Sequence, residues 1–199
     1  MEKIILASAS PRRQQLLNQM GINFTVSPSK LDEVMDHSLN ATQVAVYLAK
    51  QKCTDISAQT KHGSIVIGAD TIVAKDNKLL GKPRDAQEAF EMLKELNGNW
   101  HEVVTGVCVC RTSDMKLLSE YEVTRVKIAR KSDEFLKAYI STCEPFDKAG
   151  AYGIQGYGSL LVERIEGDYF NVMGLPIYRL SCMLEQLGYN IDLSSIKNQ

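Results

Sequence analysis

Near the start of the chain, small hydroxyl side chains and two arginines gather at the beginning of a predicted helix. Residues 6–13 read LASASPRR and follow a short apolar run. Serine before proline is typical of a helix start, because Ser10 can cap free N–H groups and Pro11 loses no hydrogen bond in the first turn. Arg12 and Arg13 oppose the dipole of that helix, which costs stability unless an anion offsets it. The segment indicates a polyanion site, with phosphate the leading candidate; an ordinary surface arginine pair is the alternative.

A carboxylate in an apolar run is the second chemical candidate. Asp70 lies within residues 65–73, which read IVIGADTIV. Burying an unpaired carboxylate costs on the order of several kcal/mol, so such a group has a cation or a function unless it only caps a turn between two strand segments. Glu33 follows Asp32 in an acidic loop and by itself is typical of surface charge. If Glu33 and Asp70 meet across a cleft, they form the oxygen site that Mg²⁺ prefers, completed by substrate phosphates.

Two lysines could add positive charge to the same place. Lys52 lies four residues from both Leu48 and Ile56, on the inward stripe of a predicted helix. Its side chain either snorkels to water or points its ammonium into a cleft. Lys82 stands just before a predicted helix start at Asp85. With the arginine pair, these lysines would place cations around the carboxylates, which suits a metal–triphosphate complex.

A glycine-rich run could bring backbone close to a ligand. Residues 148–156 read KAGAYGIQG, and an ordinary flexible loop is the alternative interpretation. The amide of Gln155 offers one acceptor and two donors, which matches the N3–H and O4 edge of uracil or thymine. The glycines do not follow a strand with dinucleotide-binding spacing, and Pro83 stands where a P-loop needs serine or threonine. Neither of those two phosphate motifs is therefore supported.

Composition excludes several other classes of protein. The net charge of −1 gives no polybasic surface, so we expect no nucleic-acid or membrane partner. Histidines 37, 62 and 101 have no ligand spacing and are predicted to be structural or surface residues. The five cysteines are odd in number without a C-x-x-C pair, which predicts reduced core thiols. No apolar run is long enough for a signal peptide or a membrane span, so the expected location is the cytoplasm.

The elements that must position these residues mix strands and helices irregularly. This order favours an α/β fold with a mixed, twisted sheet and flanking helices, and residues 1–199 are expected to form one domain. The helical pattern over 85–96 is assigned to a second lobe, with a cleft between the lobes. Strands are predicted at 4–6, 22–26, 64–68, 71–74, 79–80, 102–111, 116–129 and 160–165, and helices at 11–20, 41–56, 85–96, from 132 and from 176.

The ordered motifs of the chain resemble the Maf family of nucleoside triphosphate pyrophosphatases nearly from end to end. The matching segments are LASASPRR at 6–13, Glu33, Lys52, GADTIV at 68–73, GKPRD at 81–85, HEVVTGV at 101–107, DKAGAYGIQG at 147–156 and GDYFNVMGLP at 167–176. Arg12, Thr71 and Gln155 have the residue types of the dTTP/UTP branch, while the branch acting on 7-methyl-GTP is the alternative within the family.

The resemblance implies hydrolysis between the α- and β-phosphates, with a divalent cation, Mg²⁺ or Mn²⁺, and a homodimer with a fold related to that of inosine triphosphatases. The implied biological role is house-cleaning of nucleotide pools, linked to arrest of cell division. A nucleotide-binding regulator of septum formation with little turnover is the alternative function. The implied site residues are Asp70 as proton acceptor or metal ligand, Glu33 on the metal, Ser8, Arg13, Lys52 and Lys82 on the triphosphate, and Arg12, Thr71 and Gln155 for substrate specificity.

Overall fold

The computed structural model describes residues 2–31, 39–61 and 63–192. These residues form a seven-stranded sheet with helices packed on both faces. The strands are β1 (Lys3–Leu6), β2 (Phe24–Val26), β3 (Ser64–Lys75), β4 (Lys78–Leu80), β5 (Trp100–Arg111), β6 (Lys116–Ile128) and β7 (Val162–Glu166). The helices are α1 (Pro11–Gln19), α2 (Ala41–Gln59), α3 (Ala86–Leu96), α4 (Asp133–Ser141), α5 (Tyr169–Met173) and α6 (Ile177–Gln186).

The sheet is mixed, as predicted. Its strand order is β2-β1-β3-β5-β6-β7, and β4 pairs with β3 beside that path. β1 is parallel to β2 and β3, because α1 and α2 carry the chain back across the sheet. The later pairs are antiparallel and include the long β5–β6 hairpin. The parallel and antiparallel parts meet at β3, the strand that carries Asp70.

Two glycines allow α2 to lie directly on the sheet. A Cβ on Gly68 would overlap the carbonyl oxygen of Ala49, and a Cβ on Gly106 would overlap that of Ala45. No other residue type permits this approach of backbone to backbone. The close contact holds α2, which carries Lys52, at a fixed height over β3.

Two large apolar clusters form the two predicted lobes. In the first lobe, α1 and α6 pack on β1 and the first half of β3, with Leu6, Leu17 and Leu180 fully buried. In the second lobe, α3 and α4 pack on the far ends of β3, β5 and β6 around residues such as Leu93 and Leu136. The helix predicted over 85–96 does belong to the second lobe, and a cleft opens between the two.

The predicted break in the strand at Asp70 is wrong. β3 runs from Ser64 to Lys75 without interruption. The neighbouring strand is interrupted instead: among the described residues, β1 pairs with β3 as far as Ile67 and β4 pairs with it from Val73 onward. Residues 68–72 therefore have an open edge, where side chains from both faces of β3 reach the same space.

Two local expectations about capping and thiols also need correction. Helix α1 begins at Pro11 as predicted, but the Ser10 side chain does not cap it. Ser8 Oγ instead accepts a hydrogen bond from the Ser10 backbone N–H at 3.3 Å.

The cysteines are all free, yet Cys143 is exposed and Cys182 half-buried, so the prediction of core thiols holds only for the other three.

The glycine-rich run is a folded segment rather than an ordinary flexible loop. It contains a 3-10 turn at Ala149–Ala151, a second turn at Glu144–Asp147 precedes it, and a third at Gly156–Leu160 begins at its last residue. No helix in the described ranges is long and apolar enough to cross a bilayer.

Candidate active site

A cleft of about 580 Å³ opens at the free edge of β3, between the two lobes. Every predicted site residue within the described ranges lines it, although these residues come from distant parts of the chain. They are Ser8, Arg12, Arg13, Lys52, Asp70, Thr71, Lys82 and Gln155. Glu33, the predicted metal ligand, lies outside the described residues.

A buried ion pair lies inside the cleft. Lys52 Nζ of α2 donates to Asp70 Oδ1 of β3 at 2.5 Å, and Asp70 is 6% exposed. Of the two interpretations of Lys52, the structure therefore supports the ammonium directed into the cleft. The pairing supplies a cation to a carboxylate whose burial would otherwise be costly. Side chains alternate along a strand, so Asp70 is on the same face of β3 as Gly68, the face that contacts α2.

The two adjacent arginines lie in different surroundings. Arg13 is buried and donates from Nε to Gly174 O at 2.8 Å, from Nη1 to Ser8 Oγ at 3.0 Å and from Nη2 to Thr71 Oγ1 at 3.2 Å. It thereby connects the turn after β1, strand β3 and the end of α5. Arg12 is only half-buried and reaches across the cleft mouth, where Nη1 lies 3.3 Å from Asp147 Oδ2.

A second carboxylate and lysine lie at that mouth and were missed by sequence reasoning. Lys148 Nζ donates to Asp147 Oδ1 and to Glu144 O, both at 2.6 Å. Burial alone would raise the pKa of Asp147, but the hydrogen bond from Lys148 and the charge of Arg12 lower it below its usual value. In the sequence these residues are ordinary charges at the start of the glycine-rich run, and nothing there reveals their partners.

The segment that carries Gln155 is held by one carboxylate. Glu144 accepts backbone hydrogen bonds from Tyr157 and Gly158, each at 2.9 Å, and a third from the Tyr139 hydroxyl at 3.0 Å. Burial would raise the pKa of Glu144, yet these donors lower it overall. The pKa of Tyr139 is raised by burial and by the neighbouring carboxylate. Gln155 is thus presented to the cleft by a fixed turn.

The one histidine among the described residues supports the cleft wall from behind. His101 Nε2 lies 2.7 Å from the hydroxyl of Tyr152, and the two rings meet edge to face with centroids 5.3 Å apart. Burial, with a smaller effect of the charge on Lys75, lowers the pKa of His101 to about 4. The imidazole is therefore neutral near pH 7 and positions Tyr152, which lines the cleft.

A hydroxyl relay connects the cleft to the protein interior. Thr71 Oγ1 lies 2.9 Å from Thr105 Oγ1, and Thr105 donates to Asn171 O at 3.0 Å. Asn171 is fully buried, and its Nδ2 donates to Val103 O and to Thr124 Oγ1, each at 2.9 Å. The short helix α5 is thereby fixed against β5 and β6.

The described lining of the cleft carries more basic than acidic side chains. Its basic members are Arg12, Arg13, Lys52, Lys82 and Lys148, and its acidic members are Asp70 and Asp147. Apolar side chains form another part of the wall, including Val103, Tyr152, Ile154, Val172 and Met173. A basic cleft with an apolar wall suits a ligand that joins a polyphosphate to a flat, weakly polar group.

The described donors fit a divalent cation only if a substrate completes its coordination. No cluster of three or more His, Cys, Asp or Glu side chains suited to a metal occurs in the ranges that the structure covers. Mg²⁺ usually takes one or two carboxylates together with substrate phosphates and water, so a site of this kind needs no such cluster. Asp70 supplies one carboxylate in the cleft.

The fold and the cleft together define a mixed α/β protein whose site is suited to a polyphosphate ligand. The family described as "Maf-like protein" matches residues 3–187. The chain belongs to this Maf-like family.

Three relatives show how close the similarity is. A dTTP/UTP pyrophosphatase of Alkaliphilus oremlandii is 52% identical over 195 residues, which cover 97% of this chain and 100% of that protein. Proteins of the same name from Caldicellulosiruptor bescii and Pyrococcus furiosus are 50% and 47% identical, and each match covers 96% of this chain and 98% of the relative. The solved structure of the Staphylococcus aureus Ham1 protein has a TM-score of 0.46 at 13% identity, covering 79% of this chain and 78% of that one, a similarity too weak to support an inference.

Proposed function

We propose that this chain is a nucleoside triphosphate pyrophosphatase that hydrolyses dTTP and UTP to the monophosphate and pyrophosphate. The observation that carries the proposal is the buried pair of Lys52 and Asp70 inside a cleft with an excess of basic side chains. Membership of the Maf-like family and the names of the full-length relatives support the same activity.

Asp70 is the proposed proton acceptor. Water attacks the α-phosphorus in line with the bond to the bridging oxygen, and Asp70 takes a proton from that water. The new oxygen–phosphorus bond forms as the bridging bond breaks, and pyrophosphate leaves with the electron pair. Lys52 holds the Asp70 carboxylate in place through its hydrogen bond and adds positive charge beside the reacting phosphate.

The remaining cations and hydroxyls bind the triphosphate in this proposal. Ser8, Arg13 and Lys82 line the cleft around Asp70 and stabilise the phosphate charges. Arg12 lies at the mouth, where it contributes to substrate specificity and meets the incoming polyphosphate.

A divalent cation, Mg²⁺ or Mn²⁺, is part of the proposal. When bound, it neutralises charge on the phosphates and on the departing pyrophosphate. Asp70 would be one of its ligands, and Glu33 is proposed as another on the ground of the family resemblance.

Thr71 and Gln155 are proposed to select the base. Both line the cleft together with Ile154 and Met173, which belong to one apolar cluster. A pyrimidine ring would pack against this apolar wall while its polar edge meets the hydroxyl and the amide.

The wider biological assignment is also a proposal. We infer a cytoplasmic enzyme with one domain over residues 1–199 that acts as a homodimer and removes pyrimidine nucleotides from the nucleotide pool. A regulator with little turnover, or an enzyme of the 7-methyl-GTP branch, would be revealed by the same experiment.

Product analysis tests the function. The pure protein is incubated with UTP, dTTP, CTP, GTP or 7-methyl-GTP and Mg²⁺, and the nucleotides and pyrophosphate are resolved. We expect UMP and TMP with equimolar pyrophosphate, and none from Asp70→Asn. The matched control is Asp76→Asn on the exposed β3–β4 turn, where asparagine tolerates the positive φ of 49°. Formation of UDP and orthophosphate, or tight nucleotide binding without turnover, would contradict the proposal.

A further inference from the structure

We propose that Thr105, a fully buried residue behind the cleft, is a positioning residue for base specificity. It fixes the hydroxyl of Thr71 so that this group can only accept a hydrogen bond from a ligand in the cleft. This inference rests on the proposed function in one respect, namely that Thr71 meets the pyrimidine base.

The direction of each hydrogen bond follows from which atoms carry hydrogen. The carbonyl oxygen of Asn171 can only accept a hydrogen bond. Thr105 therefore donates its single hydroxyl hydrogen to this oxygen at 3.0 Å. Thr105 Oγ1 must therefore accept from Thr71 at 2.9 Å. Arg13 can only donate, and its Nη2 meets Thr71 Oγ1 at 3.2 Å, so Thr71 accepts from the guanidinium.

Thr71 is left with one free lone pair and no free hydrogen. Its oxygen accepts from Arg13 and donates to Thr105, and the residue lines the cleft while partly exposed. Uracil and thymine carry a hydrogen on N3 and can donate to this lone pair. Cytosine has a bare lone pair on N3, so it would place one acceptor against another. The fixed hydroxyl thus favours uracil and thymine, the pyrimidines that donate a hydrogen bond from N3.

Gln155 alone does not provide this discrimination. Its amide presents an oxygen on one side and an NH₂ on the other, and a half-turn exchanges them. No hydrogen bond to another described residue holds the Gln155 side chain in one orientation. The amide can therefore match the O4 of uracil or the amino group of cytosine, while the Thr71 hydroxyl has one polarity only.

The surroundings keep the relay in place. Thr105 and Asn171 are both 0% exposed. The Asn171 side chain donates to Val103 O and to Thr124 Oγ1, which fixes the peptide that accepts from Thr105. The same Asn171 carbonyl also accepts from the Gly174 N–H at 2.9 Å, so removing the Thr105 hydroxyl does not leave it unsatisfied.

The test compares Thr105→Val with Thr105→Ser. Valine keeps the shape but removes the acceptor for Thr71, whose hydrogen can then rotate toward the cleft and donate to cytosine N3. We expect the ratio of kcat/KM for UTP to that for CTP to fall about tenfold in Thr105→Val, the effect of roughly one hydrogen bond. Thr105→Ser retains the relay and should keep the wild-type ratio.

A thermal melt of each variant controls for folding, and Thr105→Ala replaces Thr105→Val if valine prevents folding. An unchanged ratio in a folded variant without the hydroxyl would overturn the role of Thr105 while leaving the pyrophosphatase function intact. A wild-type protein that releases no pyrophosphate from UTP would overturn the proposed function, and this inference with it.

Discussion

Two carboxylates of the cleft are each paired with a lysine, but in different surroundings. The side chains of Asp70 and Lys52 are 8% and 13% exposed, and they come from different elements packed face to face. Asp147 at the mouth is 63% exposed, although its lysine partner Lys148, the next residue in the chain, is only 12% exposed. The two lysines are therefore similarly buried, and water screens the charge of Asp147 strongly but that of Asp70 weakly. The burial of the carboxylate, more than the presence of a lysine partner, therefore distinguishes the proposed catalytic centre from the entrance.

Lys52→Met should have the largest effect, and Lys148→Met is its matched counterpart at the mouth. Removing the cation from a buried carboxylate is expected to destabilise the fold by about 3–5 kcal/mol. It should also lower kcat by about 10²-fold or more, because Asp70 loses the group that positions it. Lys148→Met should change either quantity by much less. Urea unfolding and steady-state kinetics of both variants measure this difference, and equal losses would remove the distinction between the two pairs.

Arg13→Ala and Arg12→Ala extend the comparison of buried and exposed charges to two adjacent residues. Arg13 makes three hydrogen bonds to separate segments, so its loss should lower Tm by roughly 5–10 °C as well as impair turnover. Arg12→Ala should leave Tm nearly unchanged. It should instead raise KM and lower kcat. The combined loss of transition-state stabilisation should be about 1–3 kcal/mol, the contribution of one charged hydrogen bond to the substrate. Unchanged kinetics in a folded Arg12→Ala protein would exclude Arg12 from the site.

Gln155→Ala should have a smaller effect that concerns selectivity. The loss of the amide is expected to narrow the preference for pyrimidine over purine nucleotides by several-fold, because a neutral hydrogen bond contributes about 1 kcal/mol, while the ratio of kcat/KM for UTP to that for CTP, which the Thr71 hydroxyl sets, stays near the wild-type value. Ser159→Ala, on the same turn but outside the cleft lining, is the control. A substrate profile that does not change in Gln155→Ala would contradict the assignment of this residue to the base.

Regular helical and strand patterns made most of the fold predictable. Helices α2 and α3 follow clear apolar periodicity, and the mixed order of elements predicted the mixed sheet. The short helix α5 was missed, because five residues are too few to show a period. The predicted break of β3 at Asp70 was wrong for another reason. The interruption lies in the strand beside β3, and the sequence of β3 contains no information about where that neighbour stops.

The site could be predicted only as far as its motifs extend. Ser8, Lys52, Thr71 and Gln155 were selected from residue types and the family resemblance, and the structure does place them in one cleft. Asp147 was missed because its partner Arg12 lies 135 residues away in the chain. Thr105 was missed because a buried threonine in a strand is an ordinary residue until its hydrogen-bond partners are known.

Asp147→Asn should have the smallest effect, and its pH dependence identifies the cause. The pKa of Asp147 lies below its usual value in the folded protein because of Lys148 and Arg12, after burial has acted in the opposite direction. A depressed pKa stabilises the fold above the pKa of the unfolded state, and this contribution is lost as the pH falls through the folded-state value. Since the side chain is largely exposed, the stability difference from wild type at pH 7 should be at most about 1 kcal/mol, and smaller in high salt. Urea unfolding at pH 7 and near pH 2 should show this difference disappearing at the lower pH, whereas a difference that persists there would mean that packing, rather than charge, holds Asp147 at the mouth.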